Sequence, residues 1–257
     1  MTDIWDPDHY LRFGNERTRP AIDLVSRIQL DSPRTVVDLG CGPGNSTAVL
    51  KRRWPGARGV GIDSSPEMID AARAADPPGE WVVADLQRWR PREQFDVVFS
   101  NATLQWVPDH GSLLAQLFAH VGSGGALAIQ IPSRTYALVR TLIHEIAADP
   151  AWASRMTKPL MLLTMEPLTF YYDRLAPLAR SVDAWETEYL HVLTSHAAVV
   201  DWISSTGLRP FLQALDTEAE REHFVAMLSE RVRESYEVRP DGNVLLPFRR
   251  IFVIAYR

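Results

Sequence analysis

The chain has 257 residues, 46% hydrophobic and 23% charged, with a formal net charge of −5 and a single cysteine. That is ordinary globular composition, long enough to bury a large core, and it excludes an intrachain disulfide. The acidic balance speaks against a nucleic-acid partner, which needs Lys and Arg to neutralise phosphates; without an 18-residue apolar run or an apolar signal segment, the sequence reads as soluble and cytoplasmic.

Residues 5–30 carry Trp5, Tyr10 and Phe13, then Arg17, Arg19 and Pro20, then Ala21, Leu24, Val25 and Ile28 at helical spacing. The expectation is an aromatic arm and helix lying over a binding site, with Arg17 and Arg19 facing what is bound; a helix with a solvated basic side is the even alternative. Val36-Val37-Asp38-Leu39-Gly40-Cys41-Gly42-Pro43-Gly44-Asn45 follows, an apolar strand running into a turn with Gly at every second position and then a helix start at Asn45-Ser46-Thr47. A dinucleotide turn reads G-x-G-x-x-G and brings a pyrophosphate to a helix N-terminus, which favours negative charge. Here the spacing is G-x-G-x-G and a carboxylate, Asp38, precedes it, which repels phosphate and suits a cationic amino group. S-adenosylmethionine (SAM) carries an ammonium and a sulfonium and no phosphate. A glycine turn with no ligand is the bland alternative, because a lone glycine motif is weak evidence. Cys41, between two glycines and with no His nearby in sequence, reads as a packing residue rather than a nucleophile.

A helix from about 46 to 53 leads to Gly59-Val60-Gly61-Ile62-Asp63, a strand that sets Asp63 beside the first strand's end, where a carboxylate can accept both hydroxyls of a ribose. After Ser64, Ser65 reads as an N-cap and Pro66 as the first helical residue, with Met68 lining an adenine slot or the core. Trp81 to Leu86 repeats the pattern, its Asp85 placed to accept from an adenine amine. One strand-end Asp is usually a turn former; three closing successive strands are harder to dismiss. Phe95–Ser100 is the fourth strand, and the loop Asn101-Ala102-Thr103-Leu104-Gln105-Trp106 leaves the same sheet edge. Asn101, Gln105 and Trp106 therefore border the site or, alternatively, pack the next helix. That helix, about 110–121, ends at Gly122-Ser123-Gly124-Gly125, read as a C-cap cluster, before a fifth strand at 126–131.

This alternation predicts an α/β fold with a parallel sheet between helical layers. Residues 133–180 break it with a helix around Leu138–Ala147, the apolar run Leu160–Met165 and the pair Tyr171-Tyr172. We read an insertion that covers the site and supplies an apolar wall and tyrosine hydroxyls; the alternative is a surface hairpin without ligand contact. A half-buried strand follows at Val182–Val192, in which His191 is structural, then helices at about 196–206 and 216–236 and a last strand at 247–255. No repeat or linker divides the chain, so 1–257 is expected to be one domain. Neither a Cys/His pair nor metal-ligand spacing occurs.

Taken together, Trp5-Asp6-Pro7, Arg17-Thr18-Arg19-Pro20, Asp38–Thr47, Gly61-Ile62-Asp63-Ser64-Ser65-Pro66, Ser100–His110 with its Leu104-Gln105-Trp106, Thr206-Gly207-Leu208-Arg209-Pro210 and Pro247-Phe248-Arg249-Arg250-Ile251-Phe252 resemble class I SAM-dependent methyltransferases. End to end, the chain is similar to the trans-aconitate 2-methyltransferase family. The resemblance implies a three-layer, doubly wound, mostly parallel seven-stranded Rossmann-like sheet with a helical insertion after the fifth strand. It implies SAM as cofactor, S-adenosylhomocysteine as product, and a methyl ester formed on a small-molecule carboxylic acid by a monomer or weak dimer. The cofactor set it implies is Asp38, Gly40, Gly42, Gly44, Asn45, Asp63, Ser64, Met68, Asp85, Leu86 and Asn101. Tyr10, Arg17, Arg19, Gln105, Trp106, Tyr171, Tyr172 and Arg209 would position substrate, with no acid–base residue and no metal. The family reads Gln-Met-Pro-Asp-Asn and then Glu-Pro-Thr-His where this chain has Gln130-Ile131-Pro132-Ser133-Arg134 and continues to Arg140 without them. That departure makes a larger hydrophobic carboxylic acid the alternative substrate. The alternative classes are a nicotinamide oxidoreductase, opposed by Asp38 and the glycine spacing, and a SAM-binding protein without catalysis.

Overall fold

The computed structural model describes residues 14–133, 138–204 and 207–257, with side chains from Thr18 onward. A helix α1 (Gly14–Arg27) precedes five strands, three of them followed in this stretch by a helix: β1 (Thr35–Leu39), α2 (Asn45–Arg53), β2 (Arg58–Asp63), α3 (Pro66–Ala75), β3 (Glu80–Val83), β4 (Phe95–Asn101), α4 (His110–Ala119) and β5 (Val121–Pro132). Helices α5 (Leu138–Ala147), α6 (Thr157–Met161) and α7 (Leu168–Leu175) lead to β6 (Ser181–Leu193). Helices α8 (His196–Ser204), α9 (Arg209–Gln213) and α10 (Glu218–Ser235) lead to β7 (Val244–Tyr256).

The seven strands form one sheet in the order β3-β2-β1-β4-β5-β7-β6. The first five are parallel; β7 is antiparallel to β5, and β6 to β7. Helices cover both faces, as the alternation of strand and helix dictates: α1 and α2 on one, α4 and α7 on the other. Strand order reverses between β1 and β4, and open α/β sheets bind ligands outside the strand ends at such a switch point.

Two expectations are corrected. Gly122–Gly125 is not a helix C-cap: α4 ends before His120, and the glycines are an irregular start to β5, where pairing with β4 jumps from Phe95↔Val121 to Val97↔Ala126. A Cβ on Gly125 would lie 2.6 Å from the Asp96 carbonyl oxygen, so the close strand approach requires glycine there. The third strand also stops at Val83, leaving Asp85 in the loop beyond.

The segment 133–180 is not one unit of packing. Tyr171 and Leu175 of α7, four residues apart on one helical face, are buried with α4 against the sheet. The amphipathic face of α5, made of Val139, Leu142, Ile143 and Ile146, instead packs with Phe224, Leu228 and Val232 of α10 and with α8 and α9 in a separate apolar cluster. Strands β6 and β7 carry that cluster. They continue pairing beyond the last β5 residue, from Glu188↔Arg249 to Leu193↔Val244, and Leu193, Val244 and Leu246 enter its interior. The result is a helical cap on a two-stranded ribbon above the sheet's C-terminal edge.

Candidate functional site

At the C-terminal ends of β1, β2 and β4 lies a cavity of about 330 Å³, lined by Gly40, Gly42, Pro43, Asp63, Ser64, Met68, Asp85, Leu86, Gln87, Asn101, Ala102, Thr103, Trp106 and Val107. Its volume falls within the small-molecule range. Among the described residues, Asp63 and Asp85 are the charged members of its lining.

The turn after β1 is held by conformation. Gly40, Gly42 and Gly44 all have positive φ (70°, 54° and 95°), which L side chains rarely adopt. A Cβ on Gly40 would fall 2.1 Å from Thr103 Cγ2, whereas one on Gly42 would meet no atom within 4 Å and open toward the cavity. Asp63 ties the turn to β2: Oδ2 accepts from Gly42 N at 2.9 Å and Oδ1 from Ser65 N at 2.9 Å. Ser65 caps α3 by accepting from Met68 N, and Met68 is 3% exposed and also part of the cavity wall. Asp85 accepts from Gln87 N at 2.9 Å, a local turn that still leaves it on the wall.

Asp38 departs from its expected contact. Its carboxylate is 1% exposed and does not line the cavity; Oδ2 accepts from Ser46 Oγ at 2.6 Å and Thr47 Oγ1 at 2.7 Å, fastening the first turn of α2 to β1. Burial pushes its pKa from 3.8 up to about 6, against the two hydroxyl bonds, with a further rise from Asp63's charge. Below pH 3.8 both folded and unfolded chains hold this proton and the site's contribution to stability is present in full. As pH rises from there through about 6, the unfolded chain releases the proton first and that contribution is lost, a cost of about 3 kcal/mol. Asp38→Asn mimics the neutral acid, so its Tm advantage over the native chain is expected to widen between about pH 4 and pH 7. A constant difference across paired thermal melts in that window would show that Asp38 does not titrate there.

Gly44 and Asn45 likewise lie off the cavity wall: Gly44 is the N-cap of α2 and Asn45 its first helical residue. Cys41 is buried, and burial raises its thiol pKa, as a packing residue requires. In the loop after β4, Trp106 reaches the cavity. Gln105 does not: Nε2 donates to Ala102 O at 2.7 Å and Oε1 is buried without a hydrogen-bond partner among the described residues. Ala102 itself is at φ 53°, a strained position for a residue with a side chain and a mark of functional loops. Asn101 Oδ1 is a second buried acceptor with no partner among the described residues.

The tyrosine pair splits. Tyr171 is fully buried; its hydroxyl accepts from Glu166 N at 3.2 Å and lies 2.7 Å from His110 Nδ1, while His110 Nε2 lies 2.7 Å from Leu104 O. A carbonyl can only accept, so Nε2 carries the imidazole proton and Tyr171 donates to Nδ1. Tyr171 thus supports the 104–106 turn from behind instead of offering its hydroxyl to a substrate, and Thr164 N adds a bond to Gln105 O at 2.8 Å. Tyr172 is 48% exposed on the other side of α7. Arg209 opens α9 in the cap, and the Arg19 guanidinium lies 4.9 Å from the centre of the Tyr189 ring; none of these three lines the cavity. Tyr10 and the side chain of Arg17 lie outside the described residues. Sequence reasoning missed Pro43, Gln87, Ala102, Thr103 and Val107, all within two residues of positions it singled out.

A methyltransferase-domain family model matches residues 10–180. A trans-aconitate 2-methyltransferase from Azoarcus is 46% identical over 255 residues, 98% of this chain and 99% of its own length. One from Escherichia coli is 44% identical over 253 residues, 98% of each. Among solved structures, the YcgJ protein of Bacillus subtilis is similar with a TM-score of 0.61 over 93% of this chain and 98% of its own, at 12% identity, a likeness of fold. With a small-molecule cavity at the switch point of a seven-stranded sheet and identity running from end to end, the chain belongs to the trans-aconitate 2-methyltransferase family of SAM-dependent methyltransferases.

Proposed function

We propose that the protein methylates a carboxylate oxygen of trans-aconitate to give a methyl ester, acting in the cytoplasm as a monomer or weak dimer. The observation that carries this reading is the 46% identity to a relative of that name across 98% of the chain. The cavity fits the cofactor chemically. Asp63 offers acceptors for ribose hydroxyls, Asp85 and Gln87 edge an adenine slot beside Met68 and Leu86, and Asn101 Oδ1 is an unmet buried acceptor suited to an ammonium hydrogen. The two carboxylates among the described residues of its lining, Asp63 and Asp85, suit SAM and oppose a pyrophosphate. When bound, SAM supplies a methyl group made electrophilic by a sulfonium.

The chain's own residues have little acid–base work to do. A carboxylic acid with a pKa near ~4 is already ionised at neutral pH, so no base is needed to form the nucleophile. Trp106 and Val107 wall the cavity and exclude water, and the helical cap would enclose an acceptor and align its oxygen for attack. Tyr10, Arg17, Arg19, Tyr172 and Arg209 remain candidates for acceptor contacts. The test is methyl transfer from labelled SAM to trans-aconitate and to a series of larger apolar carboxylic acids. Base-labile label on trans-aconitate is expected; higher kcat/KM on an apolar acid would replace this substrate assignment.

A further inference from the structure

We propose that His110 is a positioning residue for methyl transfer: it fixes the turn Leu104–Trp106 so that Trp106 stands in the cavity wall where it aligns the acceptor with the methyl donor. This rests on the methyl-transfer reading above.

The turn has little hold on itself. It is three residues long, closed by Trp106 N donating to Thr103 O at 2.9 Å and Val107 N to Leu104 O at 2.8 Å, and Thr103 at its start gives it no side-chain bond. It also carries strain. The two non-glycine residues with positive φ among the described residues, Ala102 at 53° and Asp109 at 52°, bracket it, and Gln105 Oε1 is buried inside it without a hydrogen-bond partner among the described residues. Such costs persist only where the surroundings over-determine a conformation, and they mark a position kept at the expense of stability.

His110 supplies the outside hold. It is the first residue of α4 and 2% exposed; Nε2 donates to Leu104 O at 2.7 Å and Nδ1 accepts from the Tyr171 hydroxyl at 2.7 Å. The hold depends on one tautomer, because a proton on Nδ1 would leave Nε2 facing Leu104 O with a lone pair. Tyr171 prevents this: its oxygen accepts from Glu166 N at 3.2 Å, and its hydrogen goes to Nδ1. The next carbonyl of the turn, Gln105 O, accepts from Thr164 N at 2.8 Å. Both holds lead back to residues 164–171, which run from the cap into α7, and Leu163 and Met165 beside them pack with Phe248 of the β6–β7 ribbon. Trp106 and Val107, which line the cavity, are therefore placed from the cap's side of the molecule. Slackening this link moves the wall and leaves Asp63 and the glycine turn as they are, so it is expected to act on alignment and to spare cofactor affinity.

The test is steady-state kinetics with trans-aconitate on His110→Asn, His110→Gln and Tyr171→Phe, with SAM affinity and the number of binding sites per chain measured by calorimetry. A glutamine amide reaches about as far as Nε2 and can donate to Leu104 O, whereas asparagine stops at the reach of Nδ1. H110N is expected to lower kcat per binding site about tenfold or more, with the KM for trans-aconitate and the SAM dissociation constant each within about threefold of native. H110Q should recover most of that loss. Y171F is expected to lower kcat about threefold or more, since the ring is then free to take the wrong tautomer. A merely structural role would reduce the number of binding sites and the Tm without moving kcat per site. Native kcat per site in H110N, or equal losses in H110N and H110Q, overturns the proposal and leaves the methylation reading standing. If H110N does not fold, Y171F decides: native kcat overturns the proposal, and the expected loss at unchanged SAM affinity supports it. If the native enzyme ignores trans-aconitate and methylates another acid, the acceptor assignment fails and the same variants on that acid decide the role of His110.

Discussion

Asp63→Ala is expected to weaken SAM binding at least about 100-fold, because two hydrogen bonds to a charged acceptor are lost together at roughly 1.5–3 kcal/mol each. The loss has a second source in the protein itself. The same carboxylate accepts from Gly42 N and Ser65 N, so its removal leaves two backbone donors without their partner and loosens both the glycine turn and the start of α3. Asp63→Asn does not restore the site, since its NH₂ group would face one of those N–H donors and could not accept from it. Isothermal titration with SAM checks this; a dissociation constant within threefold of the native value in D63A would remove Asp63 from the cofactor site.

Gly40→Ala is expected to cost about 3 kcal/mol or more and to lower Tm by roughly 6–12 °C. About 1–2 kcal/mol of that is the left-handed backbone, and the rest is overlap with Thr103, whose Cβ would lie 2.6 Å from the new methyl group. The two parts can be separated. Thr103→Gly in the same chain removes the overlap and keeps the backbone strain, so the double variant should recover stability only in part. Gly42→Ala is the contrast, with positive φ but no atom within 4 Å, and should lose little stability while a methyl group intrudes on the cavity. Thermal melts of the set check the order; equal losses in G40A and G42A would refute the Thr103 contact as the cause.

The strands and the cavity were readable because their signals are local. Each of the first two strands is a short apolar run closed by glycine or aspartate, and the switch-point geometry then brings Gly40, Asp63 and Asn101 to one edge without further information. Asp38 was legible as a marked residue but not in its orientation. Alternation along β1 allows two faces, and the choice depended on Ser46 and Thr47, whose hydroxyls take the carboxylate under α2. The tyrosine pair failed for a similar reason, since adjacent helical residues point about 100° apart and only the packing of α7 decides which is buried. The cap was hidden because its apolar faces meet across the chain: α5 and α10 are each amphipathic, and neither helix's sequence names the other as partner.

The β6–β7 ribbon gives this architecture a division of labour with evolutionary reach. Its lower half is part of the sheet whose strand ends build the cavity, and its upper half roots a set of helices with an interior of their own. Packing changes inside that interior need not propagate to Gly40, Asp63 or Asn101, so on the function proposed above acceptor choice would be free to drift among descendants of this chain while affinity for the methyl donor is kept.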